Sequence, residues 1–338
     1  MRSTLLISIL ALPALAIAQS DRIDLFSFVM PDAQLIAGAN VNAAKTSPFG
    51  QFVLSQIPMG EKYLSGFMNE TGIDPRSDIS EVVAAWNGTP SSSAKWVIGA
   101  HGNFGPSIET IEVNMLKNGG AITRLPGVDL IEAGQPGINA QTANICIGLF
   151  TDGFTDIIGD CTTVHGAVEF GAVTGTSASS LALKAQQLRS QQDLWFASVV
   201  PVAQFANVVV AGNSGAVNLS SVLKGNLFQA IQQITGGVKF VSTAQNAGAQ
   251  FSAEVMMDTP QDATSLLNVV NFIVGLLKMN SGAGPAAGGI AALLGDLDAS
   301  ANGSVLTIGA NIPESTLEQL FLQVSQLATT SVPALSRQ

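Results

Sequence analysis

Turn signals cut this chain into short alternating strands and helix-spaced apolar runs, and the two kinds of segment recur twice in one order. In the first half AQLIAGAN reads as a strand. Ser47 as N-cap and Pro48 at the first helical position then open a helix with Phe49, Phe52, Val53 and Ile57 on its apolar face. A short helix at 61–70 follows, and SEVVAAW and AKWVIGA form a hairpin around NGTPSSS. Next come a helix over roughly 106–117, strands near 120–125, 128–133, 143–151 and 154–159, and a helix from Thr162.

The second half opens on the strand DLWFASVVP. The run SSVLKGNLFQAIQQI is expected to be a helix, with Leu223, Leu227, Phe228, Ile231 and Ile234 on one face. VKFVSTAQ and AQFSAEVMM pair around Asn246-Ala247-Gly248. Asp258 or Thr259 then caps a long helix that has Pro260 just inside it. A small-residue helix GPAAGGIAALLGDL, a hairpin DASANGSVLTIGANI around Asn302-Gly303, and a helix over Glu314 to Ala328 complete the order.

Helices that follow hairpins imply antiparallel sheets with helices packed on one sheet face. The expected fold is therefore α+β, in two tandem, similarly ordered halves: a first domain at 19–175, a helical junction at 176–191 and a second domain at 192–338. Residues 1–18 stand apart. Arg2, the apolar run Leu5 to Ala16 and the small-x-small site Ala16-Ile17-Ala18 have the three parts of a secretory signal peptide. The run is short for a membrane span, and Pro13 interrupts it. Cleavage after Ala18 would deliver a periplasmic or extracellular protein.

Composition narrows the partners. Charged residues are 11% of the chain and the net charge is −10, against a usual charged fraction of roughly 25%. An acidic, charge-poor chain with no basic run does not suit phosphate backbones or anionic lipid, so nucleic acid is not an expected partner. The most apolar later segment, Ser265 to Met279, is too short to span a bilayer. It carries Asn268, Asn271, Gly275 and Lys278 on one narrow stripe. Such a helix is buried on most sides, and it is the expected place for an apolar ligand or a self-association face.

Few residues carry chemistry. There are two cysteines and two histidines, and three of the four fall in NICIGLFTDGFTDIIGDCTTVHG. Whether the hairpin turns at Asp152-Gly153 or one residue later, Cys146 and Cys161 project from the same sheet face, which in an oxidising compartment favours a disulfide over two free thiols. A zinc site from Cys146, Cys161 and His165 is the sharper alternative, but it lacks paired C-x-x-C spacing. Neither a metal nor a cofactor is expected. Ser221 and Lys224 fit the S-x-x-K pair of serine hydrolases and acyltransferases, as do Ser92 and Lys95, without the companion motifs. Asp298, Ser300, Asn302 and Gly303 begin like a calcium loop, but Gly309 stands where the closing glutamate belongs. Asp152, Asp156 and Asp160 could pair for acid–base work, although Asp152 suits the turn and Asp160 a helix cap. The sequence thus favours an exported cell-envelope protein that acts by binding, with the Ser221–Lys224 hydrolase as the alternative.

Phe28 to Gln56, TGIDPRSDISEVV, GNLFQAIQQITGGVKF and IPESTLEQLF together resemble uncharacterised secreted proteins of Acidobacteria and related bacteria, along most of the chain after residue 18. The resemblance implies an exported bacterial protein and carries no site residues with it.

Overall fold

In a computed structural model, the structure describes residues 22–56, 62–88, 94–132, 144–174, 179–200, 227, 229–243, 246–279, 297–319 and 321–322. The strands are β1 (Leu35–Asn40), β2 (Ile79–Asn87), β3 (Lys95–Gly102), β4 (Ala121–Leu125), β5 (Val128–Glu132), β6 (Ile145–Phe150), β7 (Thr155–Asp160), β8 (Leu194–Ser198), β9 (Ile231–Thr243), β10 (Asn246–Met257), β11 (Asp298–Asn302) and β12 (Val305–Pro313). The helices are α1 (Val41–Thr46), α2 (Pro48–Gln56), α3 (Lys62–Thr71), α4 (Ile108–Lys117), α5 (Cys161–Thr174), α6 (Ser180–Gln191) and α7 (Pro260–Met279), with a further helical segment from 314.

All twelve strands among the described residues join one sheet in the order β11-β12-β10-β9-β8-β1-β2-β3-β7-β6-β5-β4, and each of these pairings is antiparallel. The α+β class is therefore correct. The halves are similarly ordered: β1-β2-β3-β7-β6 corresponds to β8-β9-β10-β12-β11, and β4 and β5 extend the first set outward. The two sets meet where β1 pairs with β8, Ile36 opposite Ala197. Their contact is close at Gly38, where a β-carbon would lie 2.2 Å from the Trp195 ring.

The two faces of this sheet are covered differently. On one face a cluster joins Ile36, Val83, Val97, Ile157 and Trp195 to Val164 of α5 and Leu181 and Ala185 of α6. The 3₁₀ turn Leu25–Phe28 inserts Leu25, Phe26 and Phe28 into the same cluster, and Phe26 stacks on Trp195 at 5.7 Å between ring centroids. On the opposite face Ile111 of α4 packs on Ile131 and Leu149, and Ala263 and Leu266 of α7 pack on Val255, Met257 and Leu306. Each half thus sends the helix after its third strand to this second face. Phe49 of α2 covers Phe240 there as well.

Local capping follows the sequence. Ser47 Oγ accepts from Gly50 N at 3.0 Å, Asp160 Oδ1 from Thr163 N at 3.1 Å, and Thr259 Oγ1 from Asp262 N at 3.1 Å. Each side chain meets one of the amide groups that a helix start leaves unpaired.

Three expectations are corrected. The helices do not share one sheet face: α5 and α6 pack on one and α4 and α7 on the other, because strands such as β6 carry apolar residues on both sides. The helix expected over SSVLKGNLFQAIQQI does not extend to its end, because β9 starts at Ile231. Ile231 and Ile234, read as one helical face, both reach the α7 side of the sheet because a register shift at Met256/Met257 realigns the strand. No turn occupies Asn246 to Gly248, since Asn246 already pairs with Thr243 and all three residues belong to β10. Residues 1–18, Ser221, Lys224 and 284–296 lie outside the described residues.

Candidate functional site

Cys146 on β6 and Cys161 lie at disulfide-bonding distance, with Cα atoms 4.7 Å apart. The hairpin register matches a turn at Asp152-Gly153, with Cys146 opposite Gly159, and Gly153 adopts φ 71°. Cys161, however, is the first residue of α5 and not part of the strand. The bond therefore ties the sheet to a helix, and it spans a sequence separation of 15. Reducing it should lower stability by about 3 kcal/mol on loop-closure grounds. Urea melts with and without reductant, with thiol alkylation followed by mass spectrometry, test this; equal midpoints would refute it.

The histidines occupy two different ion-pair settings. His101 is buried, with Nε2 2.8 Å from the Ile23 carbonyl and Nδ1 3.3 Å from Glu81. Arg189 of α6 forks onto the same Glu81 carboxylate through Nε and Nη2 at 2.5 and 2.7 Å. Its Nη1 donates to Asp24 at 2.8 Å, and its guanidinium lies over the Phe26 ring at 5.5 Å. The network locks the N-terminal 3₁₀ turn and α6 onto β2. Burial pushes the Glu81 carboxyl up, but hydrogen bonds from His101 and Arg189 and the Arg189 charge outweigh this and bring it down to about 2. His165, on α5, faces Glu132 at 3.3 Å.

The three aspartates of the β6–β7 hairpin separate sharply. Asp152 caps the turn, accepting from Phe154 N at 2.7 Å, Thr155 N at 2.9 Å and Thr155 Oγ1 at 2.7 Å. Asp160 serves the α5 cap and accepts from Trp96 N at 2.8 Å. Only Asp156 keeps a buried oxygen, Oδ1, without a partner. Burial first, with the Asp152 charge adding to it and a backbone bond from Phe150 opposing it, pushes its carboxyl up to about 8. It is a half-buried side chain with its Oδ1 shielded from solvent, held as a neutral acid at neutral pH.

Asp156 belongs to the less covered part of the second face. On β1, β2, β3, β7 and β8 the apolar side chains facing α5 and α6, such as Ile36, Val83, Val97, Ile157 and Trp195, are buried. Their alternates Ala37, Ala84, Ile98, Ile158 and Phe196 are only half-buried although equally apolar. The registers place these five in one row across the sheet, Phe196–Ala37–Ala84–Ile98–Ile158. A parallel row ends on Trp86 opposite Trp96, and Trp86 Nε1 is a second buried polar atom without a partner. Another row runs through Val82 and Ala100 to Asp156. The unpaired donor and the neutral acid thus flank an apolar strip at diagonal corners, roughly 16 Å apart from strand spacing and rise. An apolar surface with a few well-placed polar groups and one strongly shifted acid is the usual form of a small-molecule site.

Other expected sites take plainer forms. Asp298, Ser300 and Asn302 lie in β11, paired with β12 in an ordinary hairpin closed at Gly303 (φ 57°). Along α7, Asn268 and Asn271 face solvent, while Ala263 and Leu266 cover the helix's own sheet; Phe272 remains 53% exposed. Among the described residues no helix is long and apolar enough to cross a membrane. The sequence reading did not single out Trp86, Glu81 or Arg189, because the signal in each comes from partners far along the chain.

No family model matches the chain, and no match appears among curated proteins or solved structures.

Proposed function

We propose that this is an exported cell-envelope protein, periplasmic or extracellular, that acts by binding rather than by turning over a substrate. Its ligand has an apolar body and an uncharged hydrogen-bonding group, and it lies on the half-covered strip between α4 and α7. The observation that carries this reading is the alternation along the central strands, apolar on both faces but buried on only one, with Trp86 Nε1 and Asp156 Oδ1 left unpartnered at its margins. A neutral acid at Asp156 favours a hydroxyl or carbonyl over a cation. The signal-like start at Arg2 to Ala18 and the resemblance to secreted bacterial proteins support export. The matching strand orders support a tandem duplication as the origin of the two halves.

Titration with the neutral dye N-phenyl-1-naphthylamine tests the site. Saturable dye fluorescence with quenching of tryptophan emission is expected. Ile98→Glu on the strip should abolish it, whereas Val113→Glu on exposed α4 should not. Trp86→Phe, a milder change, should weaken binding while leaving the circular dichroism spectrum intact. Dye binding that is absent, or indifferent to both Ile98→Glu and Trp86→Phe, would refute the reading.

A further inference from the structure

Three metal-ligating side chains converge at the corner where β5, β6 and α5 meet, away from the apolar strip, and a fourth, Cys161, is bonded to one of them. Glu132 and Cys146 are direct partners in the β5–β6 register. Cys161 and His165 are four apart on α5, so they share a helix face, and α5 packs on β6 and β7. Glu132, Cys146 and His165 each present a donor atom, all within 4.8 Å of one another, and Cys161 is bonded to Cys146. His165 Nε2 and Glu132 Oε1 are already 3.3 Å apart. Donor atoms around a tetrahedral Zn²⁺ sit roughly 3.3–3.8 Å from one another, given metal–ligand lengths of about 2.0–2.3 Å. Cys146 is fully buried, whereas the His165 and Glu132 side chains are 41% and 51% exposed. The corner therefore has an inner sulfur ligand and an outer side open to an incoming ion.

We propose that reduction of the Cys146–Cys161 disulfide converts this corner into a Zn²⁺ site with Cys146, Cys161, His165 and Glu132 as its ligands. A dithiol reductant supplies two electrons and two protons. The S–S bond breaks, two S–H bonds form, and the dithiol leaves as its own disulfide. Zn²⁺ then displaces one proton from each thiol and takes the neutral imidazole and the carboxylate as third and fourth donors. Two ligands come from adjacent strands and two from one helix turn, so the scaffold holds them in place before the metal arrives. Reoxidation removes both sulfur ligands and leaves only His165 and Glu132, too few to hold the ion. The site is independent of the apolar strip, so failure of one reading does not touch the other.

The test is to reduce the full chain with a phosphine, remove the reductant under inert gas, and titrate with Co²⁺ and then Zn²⁺. One equivalent of Co²⁺ should produce sulfur-to-metal charge-transfer absorption and the visible bands of tetrahedral Co²⁺, and Zn²⁺ should displace both. The untreated protein should show neither. His165→Ala and Glu132→Gln, at exposed positions, should each weaken binding about tenfold or more, and Cys146→Ser with Cys161→Ser should abolish it. A reduced protein that gives only weak octahedral spectra, or one whose binding both exposed substitutions leave unchanged, would overturn the proposal. So would a reduced chain that loses its circular dichroism and does not regain it with Zn²⁺.

Discussion

Asp156→Asn should stabilise the folded chain at pH 8 and remove much of its stability loss with rising pH. In the native protein the Asp156 carboxyl titrates near 8, against a usual 3.8. Between those values the folded state holds a proton that the unfolded state has released, so stability falls as pH rises through the interval and levels off above about 8. At pH 4 the folded state is protonated and the unfolded state about two-fifths so, which leaves only a small penalty, and the substitution should be almost neutral. At pH 8 the full penalty applies, and asparagine, which has the same shape and cannot ionise, avoids it. The expected gain at pH 8 is about 2–4 kcal/mol, discounted from the whole shift because partial hydration softens it. Urea melts at pH 4, 6 and 8 measure it. A variant equally stable or less stable at pH 8 would show that Asp156 is not held neutral in the fold. The same substitution bears on the proposed ligand site: asparagine cannot give up a proton, so binding that weakens above pH 8 in the native protein should become independent of pH.

Arg189→Met should destabilise the protein by about 2–4 kcal/mol at pH 7, because it removes the fork on Glu81 and leaves a largely buried carboxylate with only His101 beside it. Methionine keeps most of the side chain's apolar packing, so the loss reports mainly the charge. Here the sign runs the other way from Asp156. The Glu81 carboxyl is held at about 2 in the folded protein against a usual 4.5. Its contribution is complete above about pH 4.5 and fades as pH falls through 2. The gap between native protein and variant should therefore be wide at pH 7 and shrink toward pH 2. A gap of constant size across that range would assign the effect to packing over Phe26 instead. Loss of the network should also loosen the N-terminal 3₁₀ turn, and faster amide exchange over 25–28 in the variant would show this.

Several features were legible in the amino-acid sequence because their causes are local. Ser47 with Pro48, Thr259 with Pro260, and Asp160 ahead of Cys161 announce helix starts through the capping chemistry of neighbouring residues. Asp152-Gly153 marks the β6–β7 turn to within one residue, and the two-residue period puts Cys146 and Cys161 on one side in either register. Helix and strand are harder to tell apart where one apolar spacing suits both. Ile231 and Ile234 look like a helical face, yet they belong to a thirteen-residue strand whose partner β10 supplies the hydrogen bonds. The 3₁₀ turn Leu25–Phe28 has no periodic signature, although its side chains are among the most buried in the protein.

The sequence by itself determined an α+β chain of antiparallel hairpins in two similarly ordered halves, with its two cysteines on one side of a hairpin. Caps, turns and the period of apolar residues act within a few positions of one another and need no distant partner. Tertiary structure alone decided that the halves share one sheet, through β1 and β8, and that α5 and α6 cover one face while α4 and α7 take the ends of the other. The same step isolated Asp156 among apolar neighbours and brought Glu132 to the cysteine pair. A run such as Ala37, Ala84 and Ile98 is apolar whether it becomes core or surface. Burial depends on which distant element arrives to cover it, and periodicity carries no record of that.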